Sequence, residues 1–143
     1  MRDTNCCDIW AVFGLEDNEL LANDHWTVLL RPKQVTVGSC VLVPNRHVES
    51  LADLTDDEAR ALRDMVRRME SLLHSKLQND KINYLALMMK DPHLHFHVIP
   101  RYETEREIEG RVWQDSSWPK APDLSVTVSE PAALAEVRRY LRN

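Results

Sequence analysis

His93-Leu94-His95-Phe96-His97-Val98-Ile99-Pro100 alternates histidine with an apolar residue three times and holds three of the six histidines in the chain, too concentrated a set for an incidental polar face. Successive side chains of a strand point to opposite faces, so this order puts three imidazoles on one strand surface and Leu94, Phe96 and Val98 in a core. The pattern predicts a strand over 94–101, stopped or edged by Pro100, which has no amide for a ladder.

Working outward, residues 81–89 read as a neighbouring strand joined to this one by Lys90-Asp91-Pro92, with Asn79-Asp80 turning the chain into it. Upstream, Thr55-Asp-Asp-Glu58 has the form of a capping box. The helix it opens should run to about Leu77, because Ala59, Leu62, Met65, Val66, Met69, Leu72, Leu73 and Leu77 recur at helical spacing. Earlier still, Leu20-Leu21 and residues 25–31 are β-prone runs around an Asn23-Asp24 turn, and Ser39 to Val43 follows Gly38 as a third strand. A last helix, capped by Ser129 with Pro131 in its first turn, carries Leu134, Val137 and Leu141 on one face. The expected class is α+β: an antiparallel sheet of about five strands, one long amphipathic helix and a C-terminal helix. Residues 1–102 form the expected core. Residues 103–143 form an irregular segment plus the last helix, packing on that core or on a dimer partner. Trp113 and Trp118, on the irregular stretch, need a cover, at a dimer interface or against the sheet of the same subunit.

Composition narrows the function. A formal charge of −5 gives no pull toward polyanions, so nucleic acid is not expected as a main partner. Small phosphate compounds need only local cations, and Arg31, Lys33, Arg46, Lys90 and Arg101 flank the segments above. The glycines, Gly14, Gly38 and Gly110, are too dispersed for a phosphate-cradling loop, which removes P-loop and dinucleotide-fold readings. The first residues lack the apolar run of a signal peptide, and the apolar run from Tyr84 to Met89 is far too short to span a bilayer. A cytoplasmic protein with no membrane partner is expected. Cys6, Cys7 and Cys40 read as free thiols, and the adjacent Cys6-Cys7 pair lacks the two-residue spacer of a metal knuckle.

Two chemistries suit the histidine row. A metal could take two of the three imidazoles, but at ~3.3 Å per residue the outer two stand ~13 Å apart, so outside ligands such as His25 or His47 would be needed. Alternatively, the central imidazole attacks phosphorus and later leaves it, splitting one displacement into two. For that, its other ring nitrogen must hold the proton, as a backbone carbonyl would ensure.

The segment His93 to Ile99 resembles the signature of the histidine-triad (HIT) family, three histidines alternating with apolar residues and followed by two more. Gly38-Ser-Cys-Val-Leu-Val-Pro44-Asn-Arg46-His47-Val-Glu-Ser-Leu-Ala-Asp-Leu-Thr55 is similar to the family's second strand and the turn into its long helix. The resemblance implies a homodimer and a middle histidine that is transiently nucleotidylated. Carried over, His95 is the nucleophile, the His93 carbonyl orients its ring, and His97 contacts the phosphate. Asn83 would help hold that phosphate, and Arg31, His47 and Lys90 complete the expected substrate-binding set.

The implied reaction cleaves a nucleoside phosphoramidate or dinucleoside polyphosphate at the α-phosphate, with no cofactor or metal required. The alternatives are a nucleotide-binding HIT protein with little turnover and a metalloenzyme using two triad histidines. Three departures from the family pattern bear on recognition. Met88-Met89-Lys90 replaces a Gly-Gln-Ser-type loop, Arg31 replaces an acidic or amide residue, and Ser39 stands where histidine is common. Lys90 is expected to take over part of the missing hydroxyl's role, or else to be a solvated turn lysine paired with Asp91.

Overall fold

Two four-residue helices, α1 (Ile9–Val12) and α2 (Leu15–Asn18), open the chain, which this computed structural model describes from residue 2 to residue 143. Strands β1 (Glu19–Ala22) and β2 (Trp26–Leu30) follow, turned by Asn23, whose side-chain oxygen accepts from the amides of His25 at 2.9 Å and Trp26 at 2.8 Å. This is the local bonding that makes asparagine a turn residue. Strand β3 (Cys40–Pro44) pairs antiparallel with β2. The long helix α3 (Asp56–Leu77) begins on the expected capping box: Thr55 Oγ accepts from the Glu58 amide at 3.1 Å, and Glu58 Oε1 accepts from the Thr55 amide at 2.9 Å.

Strands β4 (Lys81–Leu85) and β5 (Phe96–Arg101) complete an antiparallel sheet of order β1-β2-β3-β5-β4. Both are shorter than the alternation predicts. Met88 adopts a positive φ of 45°, a left-handed conformation that takes the chain out of the strand, so 86–95 is a loop carrying His93 and His95.

The central strands β2, β3 and β5 are buried on both faces. Trp26, Val28, Leu30, Cys40, Leu42 and Val98 pack toward Met65, Met69, Leu73 and Leu77 of α3. Burying each such side chain contributes roughly 1.5–3 kcal/mol. The alternate residues Leu29, Val41 and Val43 pack instead against Ile9, Trp10 and Phe13. The two opening helices, too short to leave a period in the sequence, thus cover the face on which the histidines were expected to lie exposed.

Beyond β5 the chain is more ordered than its composition suggests. Strands β6 (Arg106–Ile108) and β7 (Arg111–Trp113) form a hairpin whose loop residues, Glu109 and Gly110, have φ of 49° and 85°. Two positive φ values in a two-residue loop are what a tight hairpin demands, so Gly110 makes structure within the stretch expected to be irregular. Helix α4 (Pro131–Arg142) has Glu130, not Ser129, at its N-cap, with no side-chain cap, because the chain is still extended at Val128, which bridges to Gln34. Trp113, Ala133, Val137 and Leu141 join the α3-side core, so Trp113 is covered by its own chain rather than by a second subunit, and Trp118 is partly buried. Among the described residues, no helix is long and apolar enough to cross a membrane.

Candidate active site

The sheet register fixes the last triad residue. His97 on β5 lies between Val41 of β3 and Leu85 of β4. His95 precedes it in the loop, and the two rings meet edge to face with centroids 5.0 Å apart. Neither is a surface group as expected: His95 is 4% and His97 8% exposed. Phe13 covers both, its ring centroid 5.9 Å from His95 and 6.1 Å from His97. Phe13 escaped the sequence reading because it caps a four-residue helix, too short to leave a helical period.

Hydrogen bonds assign the ring protons. His95 Nδ1 lies 2.8 Å from the carbonyl of His93. A carbonyl only accepts, so Nδ1 carries the proton and Nε2 keeps its lone pair. Arg31 Nε donates to His97 Nδ1 at 3.3 Å, which puts the proton of that ring on Nε2. Burial first, then the neighbouring guanidinium, pushes the His97 pKa down to about 4.

His95 and His97 open onto a cavity of about 390 Å³. Arg31, Lys33 and Lys90 bring positive charge to it, while Phe13, Leu87 and Met89 give it an apolar wall. Of the expected site residues, the structure gathers His95, His97, Arg31 and Lys90 here. Asn83 is elsewhere: its Oδ1 accepts from Arg101 at 2.8 Å, and Arg101 is clamped by Asp115. Arg46 is likewise structural, forked onto the buried carboxylate of Glu58 at 2.8 and 3.0 Å. The charged flanks read from sequence therefore divide into two structural arginines and three pocket cations.

A HIT domain model matches residues 14–104. The chain belongs to the HIT family. It is 24% identical to the Bacillus subtilis protein Hit over 135 residues, 90% of this chain and 92% of that one. It is 26% identical to a HIT-like protein of Mycoplasma pneumoniae over 110 residues, 73% of this chain and 76% of its relative. A hypothetical histidine triad nucleotide-binding protein from Sulfolobus tokodaii superposes with a TM-score of 0.69 at 17% identity, covering 95% of this chain and 89% of that one. That likeness is one of fold.

In this HIT protein the first triad ring faces away from the cavity. His93 Nε2 donates to the Pro44 carbonyl at 3.0 Å, and its Nδ1 meets Cys6 Sγ and Cys7 Sγ at 3.5 Å each and His47 Nδ1 at 3.2 Å. His47 Nε2 is taken by Glu49 at 2.9 Å, so His47 stands behind the triad and not on the cavity wall. With both Nε2 protons committed, two Nδ1 lone pairs face each other. Such a pair is repulsive until a shared proton or a cation lies between.

A tetrahedral cation with bonds near 2.0 Å to nitrogen and 2.3 Å to sulfur would have edges of roughly 3.3 Å (N to N), 3.5 Å (S to N) and 3.8 Å (S to S). The separations from His93 Nδ1 match that outline, the two sulfurs at 3.2 Å would open on binding, and all four donors lie within 4.8 Å of one another. Burial, then its Cys7 neighbour, pushes the Cys6 thiol up to about 12, so a cation taken up here would displace a proton from sulfur. The adjacent cysteines thus converge without the usual spacer, and only one triad histidine joins them instead of the two that a metal reading of the row required.

Proposed function

We propose that this HIT protein cleaves a nucleoside phosphoramidate or a dinucleoside polyphosphate at the α-phosphate through a covalent nucleotidyl-His95 intermediate. The observation that carries this reading is the 2.8 Å bond from His95 Nδ1 to the His93 carbonyl, which leaves Nε2 as a lone pair in a cationic cavity. His97 Nε2–H, Arg31 and Lys90 are placed to stabilise charge on the phosphate oxygens. Water then releases the nucleoside monophosphate and restores His95.

The test is incubation with adenosine 5′-phosphoramidate and with diadenosine polyphosphates, quenched without acid and followed by mass spectrometry of the His95 peptide. A nucleotidyl adduct with turnover is expected. Binding with neither adduct nor turnover would replace the enzyme by a nucleotide-binding module.

A second reading concerns the four-donor cluster, which favours a structural divalent cation of the zinc class held by Cys6, Cys7, His47 and His93. Its chemistry is to fasten the N-terminal segment behind the triad, apart from the reacting groups. Metal analysis of the purified protein should find about one equivalent, and a chelator should lower the Tm. Metal-free protein with an unchanged Tm would remove this reading.

Assembly as a homodimer is supported by β4, an edge strand followed by exposed Leu87 and Met89. Sedimentation of a 16.6 kDa species at micromolar concentration would refute it.

A further inference from the structure

Arg31 lies just beyond β2 on the face that carries Leu29, and the register Leu29–Val41–His97 sets it beside the last triad ring. Its backbone is pinned. Its amide donates to the Ser39 carbonyl at 2.9 Å, and its carbonyl accepts from Gln34 Nε2 at 2.6 Å. Gln34 is buried and also accepts from the amides of Gly38 and Ser39, so the turn that presents Arg31 is cross-braced. The guanidinium spends one N–H on the Lys33 carbonyl at 2.5 Å and its Nε–H on His97 Nδ1. Among the described residues no carboxylate pairs with it.

A guanidinium has donors and no acceptor. Its contact with His97 therefore admits one arrangement: lone pair on Nδ1, proton on Nε2. The groups facing this ring are Arg31 from the end of β2, His95 from the preceding loop and Phe13 from the opening helices. Lys33, Lys90 and Asp91 stand on the same cavity wall. None of the groups in contact with the ring is a carboxylate that would favour an imidazolium.

We propose that Arg31 is a positioning residue that fixes the His97 proton on Nε2 and thereby restricts the site to leaving groups that depart as anions without being protonated. The consequence for substrates rests on the nucleotidyl-His95 reading, while the consequence for the His97 ring does not. In the first displacement the His95 Nε2 lone pair forms a bond to phosphorus. The bond from phosphorus to the leaving atom breaks, and its electron pair departs with that atom. A neutral imidazole can stabilise this step with a hydrogen bond but is a poor proton donor. Among the described residues, the cavity wall also carries no hydroxyl side chain.

A departing phosphate, nucleoside phosphate or sulfate needs no proton, and the Lys90 ammonium can offset its charge. An amine or a simple alkoxide does need one. In the second displacement a water oxygen bonds to phosphorus, the P–N bond breaks, its electron pair returns to His95 Nε2, and one water proton passes to solvent. Phosphoanhydrides are thus the substrate class, and phosphoramidates are disfavoured.

The test compares kcat/KM for the 4-nitrophenyl, phenyl and methyl esters of adenosine 5′-monophosphate and for its phosphoramidate, in wild type, Arg31→Ala and Arg31→Gln. General acids contribute typically about 10²–10⁴-fold, so wild-type activity should fall by at least about a hundredfold from the 4-nitrophenyl to the methyl ester. Arg31→Ala should narrow that ratio by roughly tenfold or more, with a new rise toward acid pH on the basic esters as the His97 pKa moves up from about 4, still short of its ordinary value because burial, the larger cause, remains. Arg31→Gln, whose uncharged amide can accept from Nδ1–H as readily as donate to Nδ1, should narrow the ratio as well.

Nitrogen-15 spectra of the histidine rings give a readout independent of turnover. Wild-type His97 should show bare Nδ1 and protonated Nε2 across neutral pH, and Arg31→Ala should lose that preference. Equal loss on every ester with an unchanged ratio, or a wild-type His97 protonated on Nδ1, would overturn the assignment. The expected spectra without any nucleotide on His95 would uphold the role of Arg31 and sink the enzymatic reading instead.

Discussion

His95 donates its Nδ1 proton to the carbonyl of His93, two residues earlier in the same loop, across 2.8 Å. The bond is local, yet it decides which face of the imidazole is nucleophilic. His95→Asn should keep an N–H for the His93 carbonyl while removing the nitrogen proposed to attack. The expected result is a fall in kcat of more than about tenfold, a barrier change above roughly 1.4 kcal/mol, in a protein with a native near-UV spectrum. A folded mutant that retains more than a tenth of the activity would exclude His95 as the nucleophile.

Glu58 joins the capping box to the fork of Arg46. Hydrogen bonding from Arg46 outweighs burial and holds its carboxyl down at about 2, against 4.5 for the free group. A lowered folded pKa means the stabilisation is complete above about 4.5 and is lost as pH falls toward 2. Thermal melts across that window should therefore fall more steeply for wild type than for Glu58→Gln, which has no carboxylate to titrate. Parallel curves would show that this pair contributes nothing to acid stability.

The strands and the long helix were legible because each follows a period that burial imposes: residue by residue in β2, β3 and β5, and at helical spacing in α3. The triad was legible for the same reason. What escaped depends on contacts remote in sequence. Nothing in the order of residues shows that Phe13 crosses His95 and His97, or that Cys6 and Cys7 meet His47 and His93. Asn83 and Arg31 show the limit for polar groups. Both sit on or beside strands near the triad, but Asn83 is held by Arg101 while Arg31 reaches His97. The register puts both on the His97 face, and their position along it separates the two: Asn83 pairs with Ile99, one alternation beyond His97 toward Arg101, whereas Arg31 follows the row Leu29–Val41–His97.

Asp115 illustrates a buried charge that must keep its partner. Its carboxylate, 2% exposed, accepts from Arg101 Nε at 2.7 Å and from the Tyr102 amide at 3.1 Å. Removing one member of a buried ion pair typically costs about 3–5 kcal/mol, because the other charge is left without compensation. Denaturant unfolding of Asp115→Asn should show a loss in that range, and Asn83 should lose its fixed rotamer as Arg101 is released. A loss below about 1 kcal/mol would mean that water reaches Arg101 in place of the carboxylate.

Phe13 supplies the last prediction, because the burial that lowers the His97 pKa is partly its work. The ring stands edge-on to His97 at 6.1 Å and tilted over His95 at 5.9 Å, and it belongs to the apolar cluster beneath α1. Phe13→Ala removes that cover and should cost about 3–5 kcal/mol of stability, in the range of other buried aromatic truncations. Water then reaches an imidazole whose charged form was disfavoured chiefly by desolvation. The His97 pKa should therefore rise from about 4 toward its ordinary 6.5, stopping short because Arg31 still repels the imidazolium. Histidine titration followed by NMR at a temperature where the mutant is folded measures the shift directly. An unchanged His97 in a folded mutant would show that the guanidinium alone sets its protonation.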